Sequence, residues 1–141
     1  MPNIIAENED TKNKISELGA MIVKCREGKM NQSNLASAAG IPRSNMKYIE
    51  DGRNAPTAIV YKRIINALLP DAETKQKMDR LYMQIRKTPP PDICEIFSSN
   101  PEWIEVFRSL KESNISAEQI MQMTGTAVAQ AKPDKGENSN E

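Results

Sequence analysis

The chain has 141 residues, of which 38% are apolar, 4% aromatic and 27% charged, so it can form one small core of roughly a hundred residues plus tails. This length excludes a large multidomain enzyme, and the absence of histidine excludes Ser-His-Asp and Cys-His catalysis and zinc sites with imidazole ligands. The net charge is zero, with 19 basic and 19 acidic residues.

The first third of the chain predicts an arm, a long helix and a second, short helix. Residues 1–12 are polar and aperiodic, which favours a mobile arm. Apolar residues at helical spacing then predict a first helix ending at Gly28, with an inner face of Ile15, Leu18, Ile22 and Cys25. Asn31 is a candidate N-cap for a second helix of about eight residues, and Gly40 supplies the turn after it.

Two further helices complete a predicted four-helix domain over residues 13–70. Pro42 suits the first turn of a third helix, which turns Met46 and Ile49 inward. Residues 52–56 form a polar loop, and Thr57 can cap the fourth helix. The apolar face of this fourth helix consists of Ala58, Tyr61, Ile64, Ile65 and Leu68.

Residues 71–91 predict a linker helix and a Pro-rich spacer. The helix carries Met78, Leu81, Tyr82 and Ile85, and three successive prolines at 89–91 end it. A polyproline ligand for a partner domain is the alternative interpretation of these prolines.

Residues 92–124 predict a helical hook, here meaning a hairpin of two helices. Asn100 is the predicted cap of its first helix and Ser116 starts its second. The apolar face comprises Trp103, Val106, Phe107, Leu110 and Ile120. Two short helices cannot bury such a face alone, so we expect it to mediate dimerisation. The alternative is that the hairpin packs back on the first domain. Residues 125–141 lack apolar periodicity and predict a disordered tail.

Charge separates the two halves of the chain. Residues 13–70 hold nine basic and four acidic residues, a net of +5, whereas residues 92–141 hold four basic and nine acidic residues, a net of −5. The first half therefore favours anionic partners such as nucleic acid, although many soluble domains reach this charge by chance.

The spacing from Asn31 to Gly52, with two short helices around a glycine turn, is typical of a DNA-reading helix-turn-helix. The segments NQSNLA (31–36), AGI (39–41) and IEDGRNAP (49–56) resemble the XRE family of Cro and phage-repressor type. The resemblance covers about residues 14–69. It implies an all-α, lambda-repressor-like fold of four to five helices, followed by the linker and the hairpin oligomerisation module.

The resemblance also implies which residues contact double-stranded DNA. Arg43 could pair with guanine and Asn45 with adenine, while Lys47 suits a phosphate. In this family the position of Gln32 buttresses the recognition helix and touches a phosphate. The full predicted set is Gln32, Arg43, Ser44, Asn45, Lys47, Tyr48, Arg53 and Asn54. An arginine or lysine of this set, considered without the motif, would usually be a solvated surface residue.

One position departs from the family pattern. Many members carry an arginine where this chain has Cys25, and that arginine pairs with the glutamate matching Glu50. In this chain the Glu50 side chain therefore has three possible interactions: a local cap, an ion pair with Lys24, or an ion pair with Arg26. Cys25 is either a buried, inert thiol or a redox sensor, and the absence of a neighbouring resolving cysteine favours the inert thiol.

A second resemblance concerns the hook. Glu102-Trp103, Phe107-Arg108, residues 113–116 and Gln119-Ile120 resemble the C-terminal hook of SinR-type regulators, which self-associates and exchanges with a small antirepressor. Together the two resemblances imply a homodimer, or higher oligomer, that represses transcription from an inverted-repeat operator. The alternative is an interaction protein whose hook binds another chain, either an antirepressor or a toxin.

Other functions are disfavoured by the sequence. It contains no P-loop and no metal-ligand cluster, so we expect neither enzymatic activity nor a cofactor. Cys25 and Cys94 lie far apart, no signal peptide is evident, and the apolar runs fall far short of the ~20 residues of a membrane-spanning helix. These features predict a cytoplasmic protein without a membrane partner.

Overall fold

A computed structural model describes residues 8–126, and within this range the chain is all-helical, with eight α-helices and no strand. The helices are α1 (Glu9–Arg26), α2 (Gln32–Ala39), α3 (Arg43–Glu50), α4 (Ala58–Leu68), α5 (Ala72–Arg86), α6 (Pro91–Ser99), α7 (Glu102–Glu112) and α8 (Ala117–Thr124). The described residues divide into two compact units, the first up to residue 92 and the second from residue 93. Most of the predicted arm and tail lies outside the described residues.

Helix α1 begins earlier than the sequence predicts, so the predicted arm of residues 1–12 is wrong at its C-terminal end. Asn8 is the N-cap, and its side-chain oxygen accepts a hydrogen bond from the Thr11 backbone N–H at 2.8 Å. Glu9 and Asp10 occupy the first turn, where negative charge is favourable near the helix dipole. The Thr11 side chain is buried, which ties this first turn to the domain.

The predicted caps of α2 and α4 are confirmed. The Asn31 side chain accepts from the backbone N–H of Asn34 at 2.8 Å, and the Thr57 hydroxyl accepts from that of Val60 at 3.3 Å. Gly40 ends α2 in the left-handed region at φ 73°, which a glycine adopts without a Cβ clash. The turn from α2 to α3 therefore follows from local sequence.

The core of the first unit includes α5, which contradicts the prediction of a linker helix over residues 71–91. The Tyr82 ring stacks on that of Tyr61 with centroids 4.4 Å apart. The Tyr61 hydroxyl donates to Asp79 at 2.7 Å, and burial together with this carboxylate raises the pKa of Tyr61. The core side chains are Ile15, Leu18, Ile22, Leu35, Ala36, Ala39, Met46, Ile49, Ala55, Tyr61, Ile64, Leu68, Met78, Leu81, Tyr82 and Ile85.

The hook region contains three helices, because α6 precedes the predicted hairpin. Asn100 does not cap α7, since its side-chain nitrogen donates back to the Ile96 carbonyl at 3.1 Å and Pro101 holds the N-cap position. Ser116 does cap α8 as predicted, in a capping box with Gln119. None of the described residues of the second unit is buried.

Within residues 8–126, the structure has no helix long and apolar enough to cross a membrane.

The place of α5 in the core can be tested with two methionines of that helix. Met78 is fully buried and Met83 is 42% exposed. We expect Met78→Ala to lower the free energy of unfolding by about 2–5 kcal/mol, because it leaves a cavity, whereas Met83→Ala should change it by less than about 0.5 kcal/mol. Urea unfolding followed by circular dichroism measures both; equal effects would contradict the packing.

Candidate nucleic-acid interface

Seven of the eight residues predicted to contact DNA are exposed. Helix α3 turns Met46, Ile49 and Glu50 into the domain, so its remaining side chains face outward. The exposed predicted residues are Arg43, Ser44, Asn45, Lys47, Tyr48, Arg53 and Asn54, and Gln32 at the start of α2 is half-buried. The structure thus places five of these residues on one helix and two on the loop directly after it.

Two glycines allow α1 to contact the C-terminal end of α3. A Cβ on Gly19 would lie 2.4 Å from the Ile49 carbonyl oxygen and 2.7 Å from that of Glu50. Gly52 has φ 79°, and a Cβ there would lie 2.6 Å from the Ser16 Cα. The sequence identified Gly52 as a helix end but gave no sign of the close approach at Gly19.

The partner of Glu50 is Arg26, one of the three alternatives. Arg26 donates from Nε to Glu50 Oε2 at 2.7 Å and from Nη2 to Oε1 at 3.0 Å. Only 3% of the Glu50 side chain and 16% of the Arg26 side chain are exposed. The pair therefore joins the C-terminal ends of α1 and α3, a role that Cys25 cannot perform.

Gln32 connects this ion pair to the surface of α3. Its Nε2 donates to Glu50 Oε1 at 2.7 Å, and its Oε1 accepts from Arg43 Nε at 3.1 Å. One side chain at the start of α2 therefore contacts both ends of α3. This matches the buttress expected of Gln32, whereas its phosphate contact stays a prediction.

The loop after α3 is fixed from two sides. Backbone N–H groups of Arg53 and Asn54 donate to the Tyr48 carbonyl at 2.9 and 3.3 Å, and the Arg53 guanidinium lies 4.9 Å from the centre of the Tyr48 ring. From α5, Arg86 donates to the carbonyls of residues 55 and 56 at 2.9 and 3.0 Å. Sequence reasoning missed this anchor, because Arg86 lies in the segment predicted as a linker.

Lys47 pairs with a carboxylate of its own helix end. Its ammonium lies 2.8 Å from a carboxylate oxygen of Asp51, one helical turn along. Both side chains are well exposed, at 61% and 43%, so the pair is weakly held. Lys47 can leave Asp51 for another anion at little cost.

At the Cys25 thiol, the effect of burial on the pKa outweighs that of the neighbouring Lys29 and Lys24. The Cys25 side chain is half-buried beside the core, and burial raises the pKa of the thiol, which favours the protonated form. This agrees with an inert cysteine.

The described residues also contain no group of three or more side chains suited to hold a metal ion.

The predicted dimerisation residues are exposed or half-buried apolar side chains of α7 and α8. Trp103, Val106 and Phe107 are 43%, 41% and 52% exposed, while Leu110 and Ile120 are half-buried. Phe97 of α6, which lies outside the predicted set, stacks on Phe107 with ring centroids 5.2 Å apart. The Trp103 ring lies 6.3 Å from that of Phe107, centroid to centroid, so the three aromatic rings form one cluster.

No family model, curated protein or solved structure matches the chain.

The contact between α1 and the end of α3 can be tested by adding a methyl group to a glycine. Gly28 and Gly52 both have positive φ, but only Gly52 faces a close neighbour. We expect Gly28→Ala to cost about 1–2 kcal/mol from backbone strain alone, and Gly52→Ala to cost about 1–3 kcal/mol more because its Cβ meets Ser16. Equal costs in denaturant unfolding would show that Ser16 and Gly52 do not meet.

Proposed function

We propose that this chain is a sequence-specific DNA-binding transcriptional regulator, a repressor that occupies an inverted-repeat operator as a homodimer. The observation that carries the proposal is the exposed row of hydrogen-bonding and basic side chains on α3 and its following loop, in which Arg43 is bound by the half-buried Gln32. Gln32 is in turn bound to the buried carboxylate of Glu50.

Helix α3 suits insertion into the major groove. With its side chains an α-helix is about 10–12 Å across, which fits the major-groove width of about 12 Å, and the eight residues of α3 give it a length of about 12 Å. Arg43 uses Nε for Gln32, so Nη1 and Nη2 remain for O6 and N7 of a guanine. Asn45, exposed two residues further on, can pair with adenine.

The loop and the C-terminal half of α3 suit the phosphate backbone. Arg53 and Asn54 are exposed on a loop whose backbone is fixed by Tyr48 and Arg86, so their positions are defined before binding. Lys47 adds a flexible point charge. The net charge of +5 over residues 13–70 favours the same anionic partner.

A second copy of the second unit is the proposed dimer partner. One recognition helix covers about half a turn of duplex. Tight binding therefore needs two copies of the protein, one on each half-site of an inverted repeat. The exposed apolar side chains of α7 and α8 can supply the contact. A different chain, such as an antirepressor or a toxin, could use the same side chains, and this is the second candidate function.

Selection from random duplex DNA at near-physiological salt tests the proposal directly. Enrichment of an inverted repeat supports a dimeric reader, and its half-site spacing reports the geometry of the pair. Binding should weaken steeply with salt, with log K falling by about 0.9 for each phosphate contact per unit of log salt. If a folded sample enriches no sequence, the result favours the second candidate function, in which α7 and α8 bind a different chain.

Arg43→Ala tests base readout. We expect operator binding to weaken by about 1–3 kcal/mol, with preference lost at one base pair and the oligomer unchanged, because a bidentate guanine contact disappears. Lys24→Ala removes the same charge from an exposed position of α1 and should leave the preferred sequence unchanged. Fluorescence anisotropy with single-base operator variants measures both. Unchanged affinity in Arg43→Ala would remove Arg43 from the readout.

Trp103→Ala tests the dimer surface. We expect a shift towards monomer and weaker binding to the full operator, with little effect on a single half-site, because bivalency is lost. The control is Ile59→Ala, which truncates an apolar side chain that is 63% exposed in the first unit. Sedimentation equilibrium reports the oligomer. A Trp103→Ala protein that remains dimeric would place the interface elsewhere.

A further inference from the structure

The amide of Gln32 lies between a carboxylate and a guanidinium. Its nitrogen donates to Glu50 Oε1 at 2.7 Å, and its oxygen accepts from Arg43 Nε at 3.1 Å. Both polar atoms of this half-buried side chain are therefore bound inside the protein. The chain of contacts continues inward to Arg26, which holds both oxygens of Glu50.

The charge of Glu50 determines which way this amide points. A carboxylate paired with an arginine only accepts hydrogen bonds, so the amide atom facing Glu50 must be the NH2 group. The amide oxygen then faces Arg43, which only donates. The reversed amide would place oxygen against carboxylate and NH2 against guanidinium, and it would lose two hydrogen bonds to charged groups.

A fixed amide oxygen in turn fixes the guanidinium of Arg43. Because the group is planar, holding Nε restricts the direction in which Nη1 and Nη2 project. An exposed arginine would otherwise sample many rotamers and would lose that freedom on binding. The contacts that run from the ion pair of Arg26 and Glu50 through Gln32 thus restrict the side chain of Arg43.

We propose that Glu50 is a positioning residue that sets the base preference of Arg43 through the orientation of the Gln32 amide. This inference rests on the proposed function. It assigns Glu50, which is buried and cannot itself reach DNA, a role in sequence discrimination in addition to its ion pair with Arg26.

The test compares Gln32→Met, Glu50→Gln and the double variant, with Arg43→Ala marking the base pair that Arg43 reads. We expect each single variant to lower the preference for that base pair about tenfold, and the double variant to lower it no further than the stronger single one, because one chain of contacts is broken in each case. Gln84→Met, an equivalent change at an exposed position of α5, should leave the preference unchanged.

A second readout needs no DNA. In the unmodified protein, the Nε–H proton of Arg43 should exchange with water more slowly than that of Arg108, whose side chain is 69% exposed. Both single variants should abolish this difference in NMR exchange measurements. Gln32→Met leaves the ion pair of Arg26 and Glu50 in place, so it remains informative if Glu50→Gln unfolds the domain.

The outcomes separate this inference from the proposed function. If Gln32→Met weakens binding equally at all base pairs, Gln32 is a phosphate contact and the positioning role is overturned. If preference depends on Arg43 but is unchanged in folded Gln32→Met and Glu50→Gln proteins, the positioning role alone is overturned. If the unmodified protein prefers no sequence, the proposed function fails, and base positioning fails with it.

Discussion

The buried ion pair between Arg26 and Glu50 is the interaction on which the candidate interface depends. It joins the last turn of α1 to the last turn of α3, and Gln32 at the start of α2 adds a third hydrogen bond to the same carboxylate. Three helices therefore meet at one charged group. A buried pair of this kind contributes little net stability, but removing one partner leaves an uncompensated charge at a cost of about 3–5 kcal/mol.

The contact of these three helices is possible because α1 lies close to the C-terminal end of α3. Gly19 and Gly52 have no Cβ where α1 passes the end of α3, so backbone lies against backbone at this crossing. Larger side chains would push α1 away and lengthen the contact between Arg26 and Glu50. Packing and electrostatics are thus interdependent at the same end of α3.

Helix α5 supports the loop that follows α3. Its apolar face completes the core, with Tyr82 stacked on Tyr61, and its last residue, Arg86, binds the carbonyls of residues 55 and 56. The loop that carries Arg53 and Asn54 is therefore fixed by α3 and α5 together. A domain ending at residue 70 would lack both this part of the core and this anchor.

Much of the local structure was predictable from the sequence. Asn31, Thr57 and Ser116 cap their helices and Gly40 forms its turn because these features depend on hydrogen bonds and backbone angles within a few residues. The exposed face of α3 followed from helical periodicity alone. Asn100 was assigned the wrong role because α6 was missed, and its side chain bonds back to that helix.

Only the tertiary structure decided the long-range partners. Arg26 and Glu50 are 24 positions apart and Arg86 lies 31 positions from residue 55, so local patterns carry no information about either contact. The sequence left a local cap, Lys24 and Arg26 as alternatives for Glu50, and packing of α1 on α3 selected Arg26. Likewise, the apolar face of α5 was visible in the sequence, but its burial against Tyr61 depended on how the four preceding helices pack.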